Sequence, residues 1–238
     1  NQTLGVLPSG GATFTRGNDA TVDADRDPVH RGTIGGQSQS EYWEMNNRPT
    51  PTASRRMGSV DAWQNLLHKD NAAFTIAGWY RFGVTASGQQ SILSTFADTV
   101  ATIGVAFGAA DNSTPPYTAG KLYIDVGNGS GSFALAKGSS TLSAVPTGSD
   151  VFVALSVDEA GNAGIFHMDG VSETFAAAYS SPTASAATFG IGLIQAGADP
   201  SVGAEVLSRM YNAAFWQRAL SSAELISLYN ATKRKYGL

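Results

Sequence analysis

Glu41 and Glu44, in the run Glu41-Tyr-Trp-Glu44, are the closest the chain comes to a working pair of carboxylates. Two carboxyl groups can divide acid and base roles only if both face one cleft. In a strand side chains alternate between faces, so a spacing of three sends these two apart, and we read them as a solvated edge or loop. His30, His68 and His167 are scattered, with no His-x-His or His-Glu-x-x-His spacing to hold a metal or activate a water. His167 stands two residues before Asp169, which permits an acid–base pair on one strand face. The outward polar face of a hairpin is the reading we adopt. No Gly-x-Ser-x-Gly elbow or phosphate loop occurs, and the glycines lie between strands rather than before helices. The chain has no cysteine, which removes thiol nucleophiles, thiolate metal sites and disulfides together. These residue types and spacings point away from catalysis.

Aromatic residues offer a different chemistry. The apolar face of a pyranose stacks on an aromatic ring while nearby amides and carboxylates take its hydroxyls. Tyr42 and Trp43 in the N-terminal region, Trp63, and Tyr117 after Pro115-Pro116 are the candidates for such anchors. Trp79, Tyr80, Phe215 and Trp216 read instead as core residues.

The elements that would position these residues are β-strands. Short runs of period-two alternation recur from Ala73 to Trp216, separated by Gly, Asn, Asp, Pro and Ser clusters. In the run from Phe74 to Phe82, Phe74, Ile76, Tyr80 and Phe82 share one face, and Thr75, Ala77, Trp79 and Arg81 share the other; the first is the expected core face. Further strands are expected at 90–96, 101–107, 121–126, 132–136, 151–157, 163–168, 171–177, 188–194 and 205–216. Asp158-Glu-Ala-Gly-Asn162 and Asp169-Gly170 carry residues tolerant of positive φ between alternating runs, so 151–177 reads as a three-stranded meander. The first 72 residues, rich in Gly, Asn, Arg and Pro, read as edge strands, at 12–16 and 41–46, and long loops, with Ser59 a candidate cap for a short helix reaching Leu67. At the other end Ser221-Ser-Ala-Glu224 matches a capping box, with Leu220 and Leu225 placed as a hydrophobic staple and Leu225, Leu228 and Tyr229 at helical spacing. One amphipathic helix should close the chain.

Composition agrees with a folded β domain. Of 238 residues, 42% are hydrophobic and 10% aromatic, enough for a sizeable core, and we read residues 1–238 as a single domain. Charged residues are only 14%, against roughly 25% in ordinary globular proteins, so the polar surface is mostly neutral. Fifteen basic and nineteen acidic residues give a formal net charge of -4, and the basic clusters stop at Arg55-Arg56 and Lys233-Arg234-Lys235. Phosphate binding needs a concentrated basic face, so nucleic acid is not an expected partner. No run approaches the ~18 apolar residues of a membrane helix, and no membrane insertion is expected.

Three segments in order carry a resemblance. The strand and helix from Arg209 through Ala-Leu-Ser-Ser-Ala-Glu-Leu-Ile-Ser-Leu-Tyr-Asn230, the run Phe74-Thr-Ile-Ala-Gly-Trp-Tyr80, and Ile165-Phe-His-Met-Asp-Gly-Val171 resemble the laminin G-like and concanavalin A-like lectin/glucanase superfamily. The resemblance spans Ala73 to the C-terminus. It implies an all-β fold, a two-sheet antiparallel β-sandwich (jelly roll) with a short C-terminal α-helix. That superfamily holds sugar-binding modules, glycosidases, polysaccharide lyases, adhesive modules and virion proteins, so it does not by itself decide function. Its β-glucanase-like members carry Glu-x-Asp-x-x-Glu, which this chain lacks. Many members bind Ca²⁺ near the sandwich rim through Asp and backbone oxygens; Asn18 and Asp19 match that position most nearly, with Asp98 and Asp111 as loop alternatives. Ala12-Thr-Phe-Thr-Arg16 and Ala20-Thr-Val-Asp23 are also similar to segments of tailed-phage structural proteins. The expectation is a non-catalytic recognition module for carbohydrate, extracellular or on a virion surface. The alternative is a decorating or adhesion component that contacts protein surfaces as a homo-oligomer or within a virion, and a polysaccharide-cleaving enzyme comes third.

Overall fold

A computed structural model of the chain describes residues 2–3, 13–16, 29–31, 42–44, 57–59, 67, 71–83, 90–94, 104–110, 115–127, 133–179, 189–191 and 209–236. Five short strands come first: β1 (Gln2–Thr3), β2 (Thr13–Arg16), β3 (Val29–Arg31), β4 (Tyr42–Glu44) and β5 (Met57–Ser59). Then follow β6 (Ala73–Arg81), β7 (Gln90–Ser94), β8 (Gly104–Ala109), β9 (Leu122–Gly127), β10 (Phe133–Gly138), β11 (Asp150–Asp158), β12 (Ala163–Met168), β13 (Val171–Phe175), β14 (Phe189–Ile191) and β15 (Arg209–Trp216). Helix α1 (Ser222–Thr232) and a 3-10 turn (Lys233–Tyr236) close the described chain.

The strands form two antiparallel sheets, one of eight strands in the order β1-β2-β5-β14-β7-β8-β9-β10 and one of seven in the order β13-β12-β11-β6-β15-β4-β3. Phe74, Ile76 and Tyr80 of β6, and Phe82 just after it, join Val151, Val153 and Leu155 of β11 and Phe166 of β12 against Ile92, Val105, Phe107, Leu122, Ile124 and Val126 of the facing sheet. This is a β-sandwich with one closing helix, as expected, and the inward set of β6 is the one its alternation gave.

The other face of β6 departs from expectation. Thr75 and Trp79 are fully buried, and Ala77 nearly so, because α1 lies across the outer side of the seven-stranded sheet. Trp79, Ala77, Phe152, Ala154, Leu220 and Leu225 form a second apolar cluster, with Leu228, Tyr229 and Tyr236 packed on it. Trp79 is its anchor: it donates through Nε1 to Thr232 Oγ1 at 2.8 Å and stacks on Tyr236 with ring centroids 4.3 Å apart. The capping box is formed: Ser221 Oγ accepts from the Glu224 amide and Glu224 Oε2 from the Ser221 amide. Thr75 Oγ1 accepts from Leu220 N and lies 2.9 Å from the Arg218 carbonyl, fastening the strand-to-helix connection.

Where the flanking residues are described, strand ends fall within two residues of their expected positions, and β12 spans the expected 163–168. In the N-terminal part, the edge strands expected at 12–16 and 41–46 form as β2 and β4, but each lies one strand inside its sheet, with β1 and β3, which the sequence reading did not include, at the edges. Ser59 is the last residue of β5, and the helix expected after it lies outside the described residues apart from Leu67. The 151–177 meander forms as β11-β12-β13, closed by Asp169-Gly170 with φ of 46° and 89°, the left-handed pair that a two-residue hairpin turn requires.

Candidate functional site

At one end of the seven-stranded sheet, β4, β6, β11 and β15 bring tyrosine, arginine and aspartate together on the outer face. The cause is a register shift in β15 between Met210, opposite Tyr80, and Asn212, opposite Trp79. A bulge opposes two residues to one and redirects the extra side chain. Met210 therefore enters the sandwich core, while Tyr211 packs on the outer cluster.

Tyr211 donates to Asp150 Oδ1 at 2.7 Å, and Arg81 Nε donates to the same oxygen at 2.6 Å. Tyr42 meets the Tyr211 ring edge-on at 5.8 Å, and the Arg209 guanidinium lies 4.3 Å above the Tyr42 ring, a cation–π contact. Tyr236 meets the other side of Tyr211 at 5.3 Å and accepts from Asn212 Nδ2 at 2.9 Å. Burial raises the ionisation of Tyr211 and pushes that of Tyr236 up to about 12, so both hydroxyls stay protonated at neutral pH. The Asp150 hydrogen bond raises the Arg81 guanidinium further. The result is a half-buried patch of three phenol rings, two guanidinium forks and a carboxylate. Such a patch offers stacking faces, fixed donors and an acceptor. The side chains described in this patch include one carboxylate, Asp150, and no histidine.

Of the residues singled out as sugar anchors, Tyr42 belongs to this patch. Trp43 follows it on β4, its backbone in register with Met210 and His30. Trp63 lies outside the described residues, as do Asn18, Asp19, Asp98 and Asp111, the positions considered for Ca²⁺. Among the described residues no three His, Asp or Glu side chains gather as a metal site. Tyr117 is elsewhere, on the outer face of the eight-stranded sheet. It is half-buried, its hydroxyl donates to Asp125 Oδ1 at 2.6 Å, and its ring stands edge-on to Tyr123 at 6.0 Å. The sequence reading missed Arg81, Asp150, Arg209 and Tyr211. Asp150 and Arg81 pair directly in register at the ends of β11 and β6, a juxtaposition that only the strand order reveals.

His167 is a correction. It is fully buried rather than outward, because α1 covers the face of β12 that bears it. Its Nε2 accepts from the Gly170 amide at 3.2 Å, which leaves Nδ1 to donate to Ser172 Oγ at 2.8 Å. Burial lowers its pKa to about 4. Asp169 is committed as well, its Oδ1 accepting from the Phe152 amide at 2.9 Å. The two side chains brace the hairpin turn.

A pocket of about 480 Å³ opens between the end of β15 and α1, lined by Trp216, Leu220, Leu228, Ala223 and Ala231, with the Arg218–Glu224 ion pair (2.6 Å) at its lip.

No family model matches the chain, and no curated protein matches it in sequence. Its fold is similar to solved structures of botulinum neurotoxin binding domains. One comes from work on type C, whose cell entry depends on interaction with two ganglioside molecules: 12% identity, TM-score 0.61, covering 94% of this chain and 47% of that one. Another is the binding domain of neurotoxin DC in complex with rat synaptotagmin II, at 11% identity and TM-score 0.60, covering 94% and 48%. A third is the same domain in complex with SialylT, at 11% and TM-score 0.59, with the same coverage. The chain thus spans about half the length of these neighbours. At such identities the likeness is one of fold, a β-sandwich found in binding domains; the lectin/glucanase and phage resemblances rest on the sequence motifs alone.

No described helix is long and apolar enough to cross a membrane.

Proposed function

We propose that the chain is a non-catalytic recognition module that binds carbohydrate through the Tyr42–Arg209–Tyr211–Asp150 patch, displayed outside the cell or on a virion surface. The observation that carries this reading is the grouping of aromatic faces with guanidinium donors and a carboxylate on one half-exposed surface. A pyranose needs those groups together: a ring to cover its C–H face and charged partners for its vicinal hydroxyls. The neighbours add support from fold, since cell entry of neurotoxin type C depends on interaction with ganglioside and the neurotoxin DC binding domain forms a complex with SialylT.

The test is a glycan array at matched protein concentration, read for wild type and Tyr42→Ala, with calcium in excess and with chelator. Selective binding lost in Tyr42→Ala supports the proposal, and a calcium requirement would support a bound ion, for which Asn18, Asp19 and Asp98 are the proposed ligands. No binding to any glycan counts against it. The second reading, a decorating or adhesion component, is favoured by the apolar pocket beside α1, which suits a partner's side chain. Light scattering that finds a defined oligomer, with a blank array, selects that reading.

A further inference from the structure

Asp125 is the most deeply placed carboxylate among the described residues, 4% exposed in the middle strand of three on the outer face of the eight-stranded sheet. Its register partners are Ala106 on β8 and Ala136 on β10, so the floor around it is alanyl. The cover is the segment 115–120. Tyr117 reaches down from it to donate to Asp125 Oδ1, and Pro116 runs so close over the sheet that a Cβ on Gly138 would fall 2.5 Å from the Pro116 carbonyl oxygen.

At the base of the segment Gly120 N donates to Ala110 O (2.8 Å), Val145 N to Gly120 O (2.7 Å), and Lys121 Nζ to Ser140 O (2.8 Å). At its tip the hydrogen bond from Tyr117 to Asp125 joins it to the sheet. Beneath lies an apolar patch of Ala106, Ala110 and Tyr123, with Phe133 packed beside it. The titratable groups facing Asp125 from the described elements around it are Tyr117 on the segment and Tyr123 on its own strand; β8 and β10 face it with alanine. No cation pairs with it among the described residues, the Lys121 ammonium being directed to Ser140.

We propose that Asp125 and Tyr117 form an acid-closed latch: with Asp125 protonated the 115–120 segment lies on the sheet, and ionisation of Asp125 lifts its tip and uncovers the Tyr123–Phe133 patch. Removing a charged carboxylate from water without a cation is costly, and burial here pushes Asp125 up to about 7 even though the Tyr117 hydrogen bond works in the opposite direction. The charge therefore appears near neutral pH. The strand cannot relieve it, because β9 is laddered on both sides by β8 and β10. The segment tip can, by admitting water. This latch is independent of the carbohydrate reading and lies on the other sheet.

Hydrogen exchange read by mass spectrometry on a peptide spanning 115–121, at pH 5.5 and 8.5 with times scaled for intrinsic exchange, tests it on the full chain. Wild type should lose protection at least fivefold at the higher pH, while peptides from β6 and β11 stay protected. Asp125→Asn should be equally protected at both values. Tyr117→Phe, which keeps the carboxyl but not its donor, should be less protected than wild type at both. Equal wild-type protection at the two pH values overturns the latch without any variant. A pH response that survives in Asp125→Asn also overturns it; should that variant not fold, Asp125→Leu takes its place.

Discussion

Tyr80 carries a hydroxyl into the sandwich core with no hydrogen-bond partner among the described residues, and burial drives its ionisation far above the ordinary phenol range. A buried unpaired hydroxyl costs about 1–3 kcal/mol. Tyr80→Phe should therefore match or exceed wild-type stability by about 1 kcal/mol in urea melts, and a clear loss would mean the hydroxyl has found a partner. Glu173 shows the opposite arrangement. Burial would raise its pKa, but the Ser139 hydroxyl and the Ser140 and Thr141 amides, joined by the Ser140 hydroxyl, hold it far below the usual range. These contacts tie β13 of one sheet to the segment after β10 of the other. Glu173→Ala leaves those donors without their acceptor and should cost about 2–3 kcal/mol, with Glu173→Gln less damaging because an acceptor oxygen remains; equal stability of all three in urea melts would deny the clamp.

At the scale of elements, α1 depends on the sheet more than on its own ends. Substituting an N-cap serine costs about 1 kcal/mol, whereas Trp79→Ala removes the ring on which Tyr229, Tyr236 and Phe152 converge and should cost about 3–5 kcal/mol. Chemical denaturation of Ser221→Ala and Trp79→Ala side by side checks the ranking; comparable losses would contradict it. The cap and the Asp169-Gly170 turn were legible in sequence because their chemistry is local, each within a few residues. The burial of Thr75 and Trp79 was not. Their face reads as a polar and apolar mixture, and what covers it is a helix some 140 residues later. The bulge at Tyr211 was hidden too, since a run of β-compatible residues gives no sign of where one strand slips against another.

Across the whole molecule, two buried groups set opposing pH dependences. Asp125 is raised from 3.8 to about 7, so the folded state binds more protons through that window and stability falls as pH rises across it. His167 is lowered from 6.5 to about 4, so the unfolded state binds more protons there and stability falls as pH drops through that range. Where the windows overlap the slopes oppose each other, and wild-type stability should vary little. Asp125→Asn should expose a loss on acidification below pH 6.5, and His167→Gln a loss on raising pH toward 7. Urea melts at four pH values would show it; parallel profiles for all three proteins would refute it. The same non-local origin explains why only Tyr42 of the candidate site was legible: Arg81, Asp150, Arg209 and Tyr211 come from three strands, with Arg81 and Tyr211 lying 69 and 61 residues from Asp150, and meet only through sheet order. The proposed carbohydrate site depends on that meeting. Isothermal titration of the best array glycan into wild type and Arg209→Ala tests it most directly. Loss of the Arg209 guanidinium should weaken binding at least tenfold, about 1.4 kcal/mol, with an unchanged melting temperature. Equal affinity in the two proteins would contradict it.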